Sequence, residues 1–184
     1  MNWRKMPILK PVLRVKNNGT VINFIQSKKY KKMNIVITGS LGNIGKPLTE
    51  DLVRKGHSVV VISRSQERSK DIEALGAEAS IGSMQDVDFL TKTFKGADIV
   101  YLMATLDRGE FSNPSVDIIE AMAQIGKNYK EAIEKSGVEK VIELSAVGAH
   151  KDTGNGNMLF HYKIEQTLKG LDDVSIKVLR PAGF

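Results

Sequence analysis

Short apolar runs alternate with amphipathic stretches from residue 34 to the end of the chain. Most of these runs are continuous in valine and isoleucine, which is typical of parallel strands buried on both faces. The third run is more polar than the others, so we expect it near an edge of the sheet. The pattern predicts six strands: Ile35–Thr38, Ser58–Ile62, Glu78–Ile81, Ile99–Met103, Val141–Leu144 and Ser175–Leu179.

Five amphipathic helices are predicted between the strands, each with an apolar face. The fourth and longest has an apolar face from Ile118 to Ile133 and is entered through Pro114 and Ser115, and the fifth spans 159–168. The segments "LDRGEFSNPS" and "HKDTGNGNMLF" are predicted as loops that cover a cleft. Because strands and helices alternate, the sequence predicts an α/β fold with a doubly wound parallel sheet. The fold class that we expect is the Rossmann fold, with strand order 3-2-1-4-5-6. Glycines follow the first three helices where a left-handed cap is expected: Gly56, Gly76 and Gly96.

The segment "TGSLGNIG" joins the first strand to the first helix. A tight turn needs a residue without a Cβ, a second glycine lets the backbone approach a pyrophosphate, and a third lets the helix pack closely. The amino end of the helix attracts phosphate. We therefore predict a dinucleotide site that includes Ser40, Asn43 and Ile44, although Asn43 can equally cap the helix. The three glycines of the site are Gly39, Gly42 and Gly45.

The second strand ends in "VVVISRS", where sites that prefer NAD carry an acidic residue for the ribose hydroxyls. This chain has no carboxylate there before Glu67. Arg64 suits a 2′-phosphate through charge-assisted hydrogen bonds, and Ser63 or Ser65 can add a hydroxyl. The alternative is an arginine that only solvates the strand end. The predicted cofactor is NADP, with NADPH preferred over NADH.

Composition is that of a globular domain, but the charge is distributed unevenly. The chain has 184 residues, 41% of them hydrophobic, and no cysteine, which excludes disulfides and cysteine-ligated zinc. Nine basic and no acidic residues lie in 1–32, so the remainder carries a net charge of −3. Nucleic-acid-binding domains concentrate positive charge on the folded body, so we expect no nucleic-acid partner. No apolar run is long enough to cross a bilayer, and we expect a cytoplasmic protein without a membrane partner.

Residues 1–32 form a basic leader with no place in the alternating pattern. Three interpretations stay open: a basic arm that contacts anionic partners, an organelle-targeting segment, or sequence translated from upstream of a true start at Met33. The third is favoured because the first strand follows Met33 at once. The predicted division is therefore a leader over 1–32, outside the fold, and an NAD(P)-binding Rossmann domain over 33–184.

Residues 33–184 resemble the NmrA-like atypical short-chain dehydrogenase/reductases, a family that includes NAD(P)H-dependent quinone and azo reductases and redox-sensing regulators. The resemblance rests on "TGSLGNIG", "ISRS", "GSMQD", "VEKVIELSAVGAH", "HYKIEQTL" and "VLRPAGF". Family members continue well past Phe184, so this chain is expected to lack the C-terminal substrate-binding portion.

The resemblance also implies further cofactor contacts. It places Ser83 and Met84 beside the adenine, and Ala104 and Thr105 along the nicotinamide ribose. The residues that it places at the border of the nicotinamide are Ser145, Ala146 and Val147.

Candidate catalytic residues are Ser145 and His161. Typical short-chain dehydrogenases use a Tyr-x-x-x-Lys pair, which this chain lacks because Gln166 stands four positions after Tyr162. Ser145 can hold a substrate carbonyl or cap a strand, and His161 can relay a proton or serve only the helix. Glu165 is expected to be a solvated or helix-pairing carboxylate. The histidines lack metal-ligand spacing, so no metal site is predicted.

Two functions stay open on these observations. The first is an NADP-dependent oxidoreductase that transfers hydride to a small quinone-like or carbonyl acceptor. The second is an NADP(H)-sensing regulatory protein without catalysis. With acceptor positioning expected from segments beyond Phe184, this chain should bind NADP(H) yet reduce acceptors slowly. An uncovered apolar cleft is also expected to promote self-association.

Overall fold

The computed structural model describes residues 12–17, 20–25 and 31–182, and the chain divides into two units at Lys31. The first unit contains an antiparallel hairpin of β1 (Val12–Asn17) and β2 (Thr20–Ile25), which form a sheet of their own. The assignment of residues 1–32 to a leader outside the fold stays a prediction, because much of that segment lies outside the described residues.

The second unit contains a parallel six-stranded sheet in the order β5-β4-β3-β6-β7-β8. Counted from the first strand of this sheet, the order is 3-2-1-4-5-6, and the predicted Rossmann-type fold is confirmed. The polar third strand lies at an edge, as predicted. The strands are β3 (Asn34–Ile37), β4 (Ser58–Ser63), β5 (Glu78–Ile81), β6 (Ile99–Leu102), β7 (Lys140–Leu144) and β8 (Ser175–Leu179).

Six helices accompany the sheet, one more than predicted. A short helix lies within the predicted loop "LDRGEFSNPS", because the side chain of Asp107 accepts the backbone N–H of Glu110 while Glu110 accepts that of Asp107. The longest helix begins at Ile118, the first residue of its predicted apolar face, with Asp117 as its N-cap, and Pro114 and Ser115 precede it. The helices are α1 (Gly45–Arg54), α2 (Ser69–Ala74), α3 (Val87–Phe94), α4 (Arg108–Ser112), α5 (Ile118–Ser136) and α6 (Leu159–Leu168).

Successive residues of the central strands enter two separate cores, one on each face of the sheet. In β3, Ile35 and Ile37 pack into the core that contains apolar residues of α1 and α2, whereas Val36 packs with α3, α5 and α6. The same alternation holds in β4, where Val61 and Ile62 enter opposite cores. Strands buried on both faces explain why the sequence shows continuous apolar runs.

Chain direction changes at the centre of the sheet. The connections through α1 and α2 build the sheet outward to β5, and α3 returns the chain to β6 on the other side of β3. The carboxyl ends of β3 and β6 therefore lie side by side at the point where strand order reverses. Ligands of open α/β sheets bind at this point.

Candidate functional site

A buried polar cluster joins the carboxyl ends of β3 and β6 beneath the glycine loop. The hydroxyl of Thr38 accepts the backbone N–H of Met103 at 2.7 Å, and the Tyr129 hydroxyl lies 2.9 Å from the Met103 carbonyl oxygen. Thr38 and Tyr129 are almost fully buried, and burial raises the pKa of the tyrosine far above its usual value. The tyrosine is thus a neutral hydrogen-bonding group that fixes the base of the loop.

The three glycines of the loop have different surroundings. Gly39 has a φ of +89°, and a Cβ there would lie 3.0 Å from the Met103 Cβ. A Cβ on Gly45 would lie 2.0 Å from the backbone oxygen of Ser40, so α1 can begin there only with glycine. A Cβ added at Gly42 would meet none of the described residues within 4 Å, apart from its chain neighbours. The first and third glycines are required by the fold, and the second leaves space beside the loop.

That space is part of a cavity of about 450 Å³ at the carboxyl ends of the strands. Seven of the predicted cofactor residues line it: Gly39, Ser40, Gly42, Ser63, Arg64, Met84 and Thr105. Six further residues complete the lining: Leu41, Ile62, Ser65, Arg68, Leu106 and Asp107. Among these six, only Ser65 was considered as a cofactor contact from the sequence. The remaining predicted cofactor residues lie outside this lining: Asn43, Ile44, Gly45, Ser83, Ala104, Ser145, Ala146 and Val147.

Several of these other residues have structural contacts instead. Ile44 is the N-cap of α1, which has no side-chain cap hydrogen bond, so the interpretation of Asn43 as the cap was wrong. Ile44 packs against the core of α1 and α2. The Ser83 hydroxyl accepts the backbone N–H of Gln85 at 3.1 Å. Val147, by contrast, is largely exposed, with 56% of its surface accessible.

Two guanidinium groups line the cavity. Arg64, at the end of β4, is about one-third exposed and lies 3.4 Å from Glu110 and 3.7 Å from Asp107, both at the beginning of α4. Arg68 donates to the Leu41 carbonyl oxygen of the glycine loop at 3.5 Å. Arg68 was missed from the sequence, because it lies in the short helical turn Gln66–Arg68 after Arg64 and no spacing pattern relates the two arginines.

Serine hydroxyls connect the glycine loop to the end of β4. The Ser40 hydroxyl donates to the Ser63 hydroxyl at 3.1 Å, and the Ser40 backbone N–H donates to the Ile62 carbonyl oxygen at 3.0 Å. Ser40 adopts a φ of +61°, an uncommon conformation for a residue with a Cβ. These contacts hold the loop and the arginine-bearing strand end at a fixed spacing.

The candidate catalytic residues lie in a second cluster near β7 and α6. The Ser145 hydroxyl donates to Glu165 at 2.6 Å, and the Arg180 guanidinium also binds this carboxylate, with its Nε at 2.8 Å. Glu165 is only 2% exposed, so its predicted role as a solvated carboxylate was wrong. Burial alone would raise the pKa of Glu165, but the hydrogen bonds from Arg180 and Ser145 hold it below its usual value.

His161 lies in the first turn of α6, four positions before Glu165. Its ring lies on the Phe160 ring at a centroid distance of 4.1 Å, and its Nδ1 atom is buried with no hydrogen-bond partner among the described residues. Burial lowers the pKa of His161, with the Glu165 charge opposing the effect. A neutral imidazole is therefore the favoured form at this position.

A buried carboxyl group lies on β7 and was missed from the sequence. Glu143 is 2% exposed, and neither side-chain oxygen has a hydrogen-bond partner among the described residues. Burial and the neighbouring Glu165 charge raise its pKa to about 8, with Arg180 opposing them. Strand alternation could have found it, because Glu143 shares a face with the buried Val141 and Ser145.

Comparison with known families decides the class of protein. A model of the NAD(P)H-binding family matches residues 39–174, which span the glycine loop, the cavity and α6. The chain belongs to the NAD(P)H-binding family. Membership confirms the nicotinamide cofactor predicted from the sequence, and it is consistent with the resemblance to the NmrA-like reductases.

Known proteins match the chain only over part of their length. Sterol-4-alpha-carboxylate 3-dehydrogenase, decarboxylating, of Dictyostelium discoideum is 37% identical over 67 residues, which are 36% of this chain and 20% of that protein. The Citrobacter sp. triphenylmethane reductase complexed with NADP(H) has a TM-score of 0.68 and 17% identity, over 82% of this chain and 50% of that chain. The NADPH-dependent quinone oxidoreductase of Escherichia coli complexed with NADPH has a TM-score of 0.65 and 23% identity, over 79% of this chain and 48% of that chain. The chain thus spans about half the length of these structures, which share its fold.

The residues around the cavity fit a dinucleotide. Gly42 leaves the approach to the loop open, whereas a Cβ would be blocked at Gly39 and Gly45. Two guanidinium groups and the Ser63 hydroxyl supply donors for phosphate. Among the described residues, no helix is long and apolar enough to cross a membrane, and no group of three or more acidic or histidine side chains could hold a metal ion.

Proposed function

We propose that this chain binds NADP(H) in preference to NAD(H), as the cofactor-binding part of an oxidoreductase. The observation that carries the proposal is that the glycine loop, Ser63, Arg64 and Arg68 all line the same cavity. A 2′-phosphate is a strong acceptor that suits such donors, whereas free ribose hydroxyls are typically bound by a carboxylate.

In this proposal the chain supplies binding and orientation. The loop around Gly42 binds the pyrophosphate, and Arg64 with Ser63 binds the 2′-phosphate. Ser83 and Met84 border the adenine. Ala104 and Thr105 lie along the nicotinamide ribose, and the segment from Ser145 to Val147 borders the nicotinamide. When bound, the nicotinamide supplies a hydride. A quinone-like or carbonyl compound is the proposed acceptor, supported by the quinone oxidoreductase among the structural relatives.

A regulatory NADP(H)-sensing protein without catalysis is the second candidate. One observation favours it: the Ser145 hydroxyl is buried and already donates to Glu165. A hydroxyl held in this way must leave Glu165 before it can bind a substrate carbonyl. A sensor needs only the cofactor contacts around the cavity.

Exchange of one arginine tests the choice of cofactor. Arg64→Met should weaken NADPH binding roughly tenfold and NADH binding much less, because a charge-assisted contact of a partly exposed group is worth about 1.5 kcal/mol. Isothermal titration calorimetry measures both affinities. Arg54→Met is the matched control, since Arg54 is highly exposed on α1 and pairs with Asp51. Equal weakening of the two nucleotides would show that Arg64 does not bind the 2′-phosphate.

Turnover distinguishes the two candidate functions. An oxidoreductase should oxidise NADPH in the presence of members of a quinone panel, and Arg64→Met should raise the NADPH concentration needed. Slow turnover alone is expected of both candidates, so the result that would favour the sensor is capture of a partner protein that depends on the bound nucleotide, without turnover of any acceptor.

A further inference from the structure

The first turn of α4 presents a carboxylate to the arginine expected to bind the 2′-phosphate. Glu110 Oε2 lies 3.4 Å from Arg64 Nη1, and Asp107 Oδ2 lies 3.7 Å from the same atom. Arg64 and Glu110 are both about 30% exposed, so neither charge is fully screened by water. Arg64 thus has an anionic partner from an element 46 residues further along the chain.

Glu110 is held at this position by more than its charge. Its Oε2 atom accepts the backbone N–H of Asp107 at 3.1 Å, and its Oε1 atom accepts the side-chain amide of Gln85 at 2.6 Å. Asp107 in return accepts the backbone N–H of Glu110 at 2.7 Å. The carboxylate therefore links α4, the segment after β5 and the end of β4 at one side of the cavity.

We propose that Glu110 is a specificity-determining residue that competes with the nucleotide 2′-phosphate for Arg64. The inference rests on the proposed function, because it takes Arg64 as the 2′-phosphate ligand. A phosphate monoester brings about 1.5–2 negative charges at pH 7 and must either displace Glu110 or bind beside it against repulsion. A nucleotide with a free 2′-hydroxyl neither has to displace Glu110 nor is repelled by its charge. Glu110 thus reduces the preference for NADP(H) below what Arg64 alone would provide.

Removal of this charge should strengthen binding of 2′-phosphorylated nucleotides selectively. In Glu110→Gln the side chain keeps its size, and glutamine also serves at this position of a capping box. The probes are adenosine 2′,5′-bisphosphate and adenosine 5′-monophosphate, which differ only in the 2′-phosphate. We expect a two- to fivefold gain for the bisphosphate and no change for the monophosphate, in line with the ~0.2–1 kcal/mol of exposed ion pairs.

Calorimetry at low ionic strength on the full chain measures these affinities. Glu131→Gln is the control, since Glu131 is a half-exposed carboxylate on α5 that pairs with Lys135. The gain should vanish in the double variant Arg64→Met/Glu110→Gln, because the phosphate then has no guanidinium to recover. Urea unfolding checks that Glu110→Gln keeps the stability of the unaltered chain.

The arms of the experiment separate two kinds of failure. If Arg64→Met lowers bisphosphate affinity but Glu110→Gln leaves it unchanged or lowers it, the competition is overturned and the proposed function stands. If Arg64→Met changes neither the affinity for the bisphosphate nor that for the monophosphate, the role of Arg64 in the proposed function fails. The inference about Glu110 then fails with it.

Discussion

At the scale of single residues, the glycine loop separates what the fold requires from what a ligand requires. Gly45 is enclosed by backbone, with the Ser40 oxygen where its Cβ would stand, whereas Gly42 faces open space at the cavity. Both glycines belong to one sequence motif, yet only their surroundings show that they serve different purposes.

Alanine substitutions should separate these two purposes. Gly45→Ala should destabilise the protein by roughly 1–3 kcal/mol, because the loop backbone must move to admit the methyl group. Gly42→Ala should change the free energy of unfolding by less than ~0.5 kcal/mol. It should nevertheless weaken NADPH binding by about tenfold, since the methyl group occupies the approach of the pyrophosphate. Urea unfolding and calorimetry on both variants measure the two quantities, and a Gly42→Ala protein with unchanged affinity would contradict the proposed pyrophosphate position.

At the scale of elements, the close approach of α5 and α6 depends on a small residue. A Cβ on Gly126 would lie 2.8 Å from Ile164 Cγ1 and 3.3 Å from its Cα. α6 carries Glu165, so the position of α6 against α5 also sets where this carboxylate meets Ser145 and Arg180. The sequence indicates both helices, but nothing in their apolar spacing indicates that they touch at a glycine.

Gly126→Val should therefore push the two helices apart. We expect a loss of about 1–3 kcal/mol in the free energy of unfolding from overpacking against Ile164. Lys127→Val is the control, because it introduces the same side chain at the next, exposed position of the helix, where surface changes cost about 0.5 kcal/mol or less. Thermal and urea unfolding compare the two variants, and equal losses would contradict the close contact.

At the scale of the whole molecule, one buried carboxyl group makes global stability depend on pH. Glu143 has a folded-state pKa of about 8, against a usual value of 4.5. Between these values the folded protein holds a proton that the unfolded chain has released. The contribution of Glu143 is thus fully present below about pH 4.5 and is lost as the pH rises through 8. Glu165 and Arg180 are the charged groups that modify this pKa.

Glu143→Leu should remove this dependence on pH. The unfolding free energy of the unaltered protein should fall between pH 5 and pH 8, and the variant should show a smaller slope over the same range. At pH 8 the variant should be more stable by roughly 1–3 kcal/mol, because a buried group without hydrogen-bond partners is replaced by an apolar one. Glu139→Leu, at an exposed position, should keep the slope of the unaltered protein. Urea unfolding at several pH values measures all three, and an unchanged slope in Glu143→Leu would show that the carboxyl is ionised throughout.

The sequence by itself determined the parallel sheet, its strand order, the glycine loop and the position of Arg64 at a strand end. The strands, the glycine loop and the strand end depend on periodicity and on the backbone needs of neighbouring residues, both of which are local. The strand order follows instead from the general connection rules of doubly wound sheets. The capping pair of Asp107 and Glu110 could also have been predicted from local sequence. The short helix α4 was missed because its sequence shows no apolar face.

Tertiary structure alone decided which charges meet. Glu110 pairs with a residue 46 positions away, and Glu165, which was predicted to be a solvated or helix-pairing carboxylate, is buried against Arg180. Burial and pairing of this kind depend on how separate elements pack, which apolar spacing does not encode. The energy of a carboxylate changes sharply with burial and with the nearest opposite charge. For that reason the chemistry of Glu110, Glu143 and Glu165 became visible only in the folded chain.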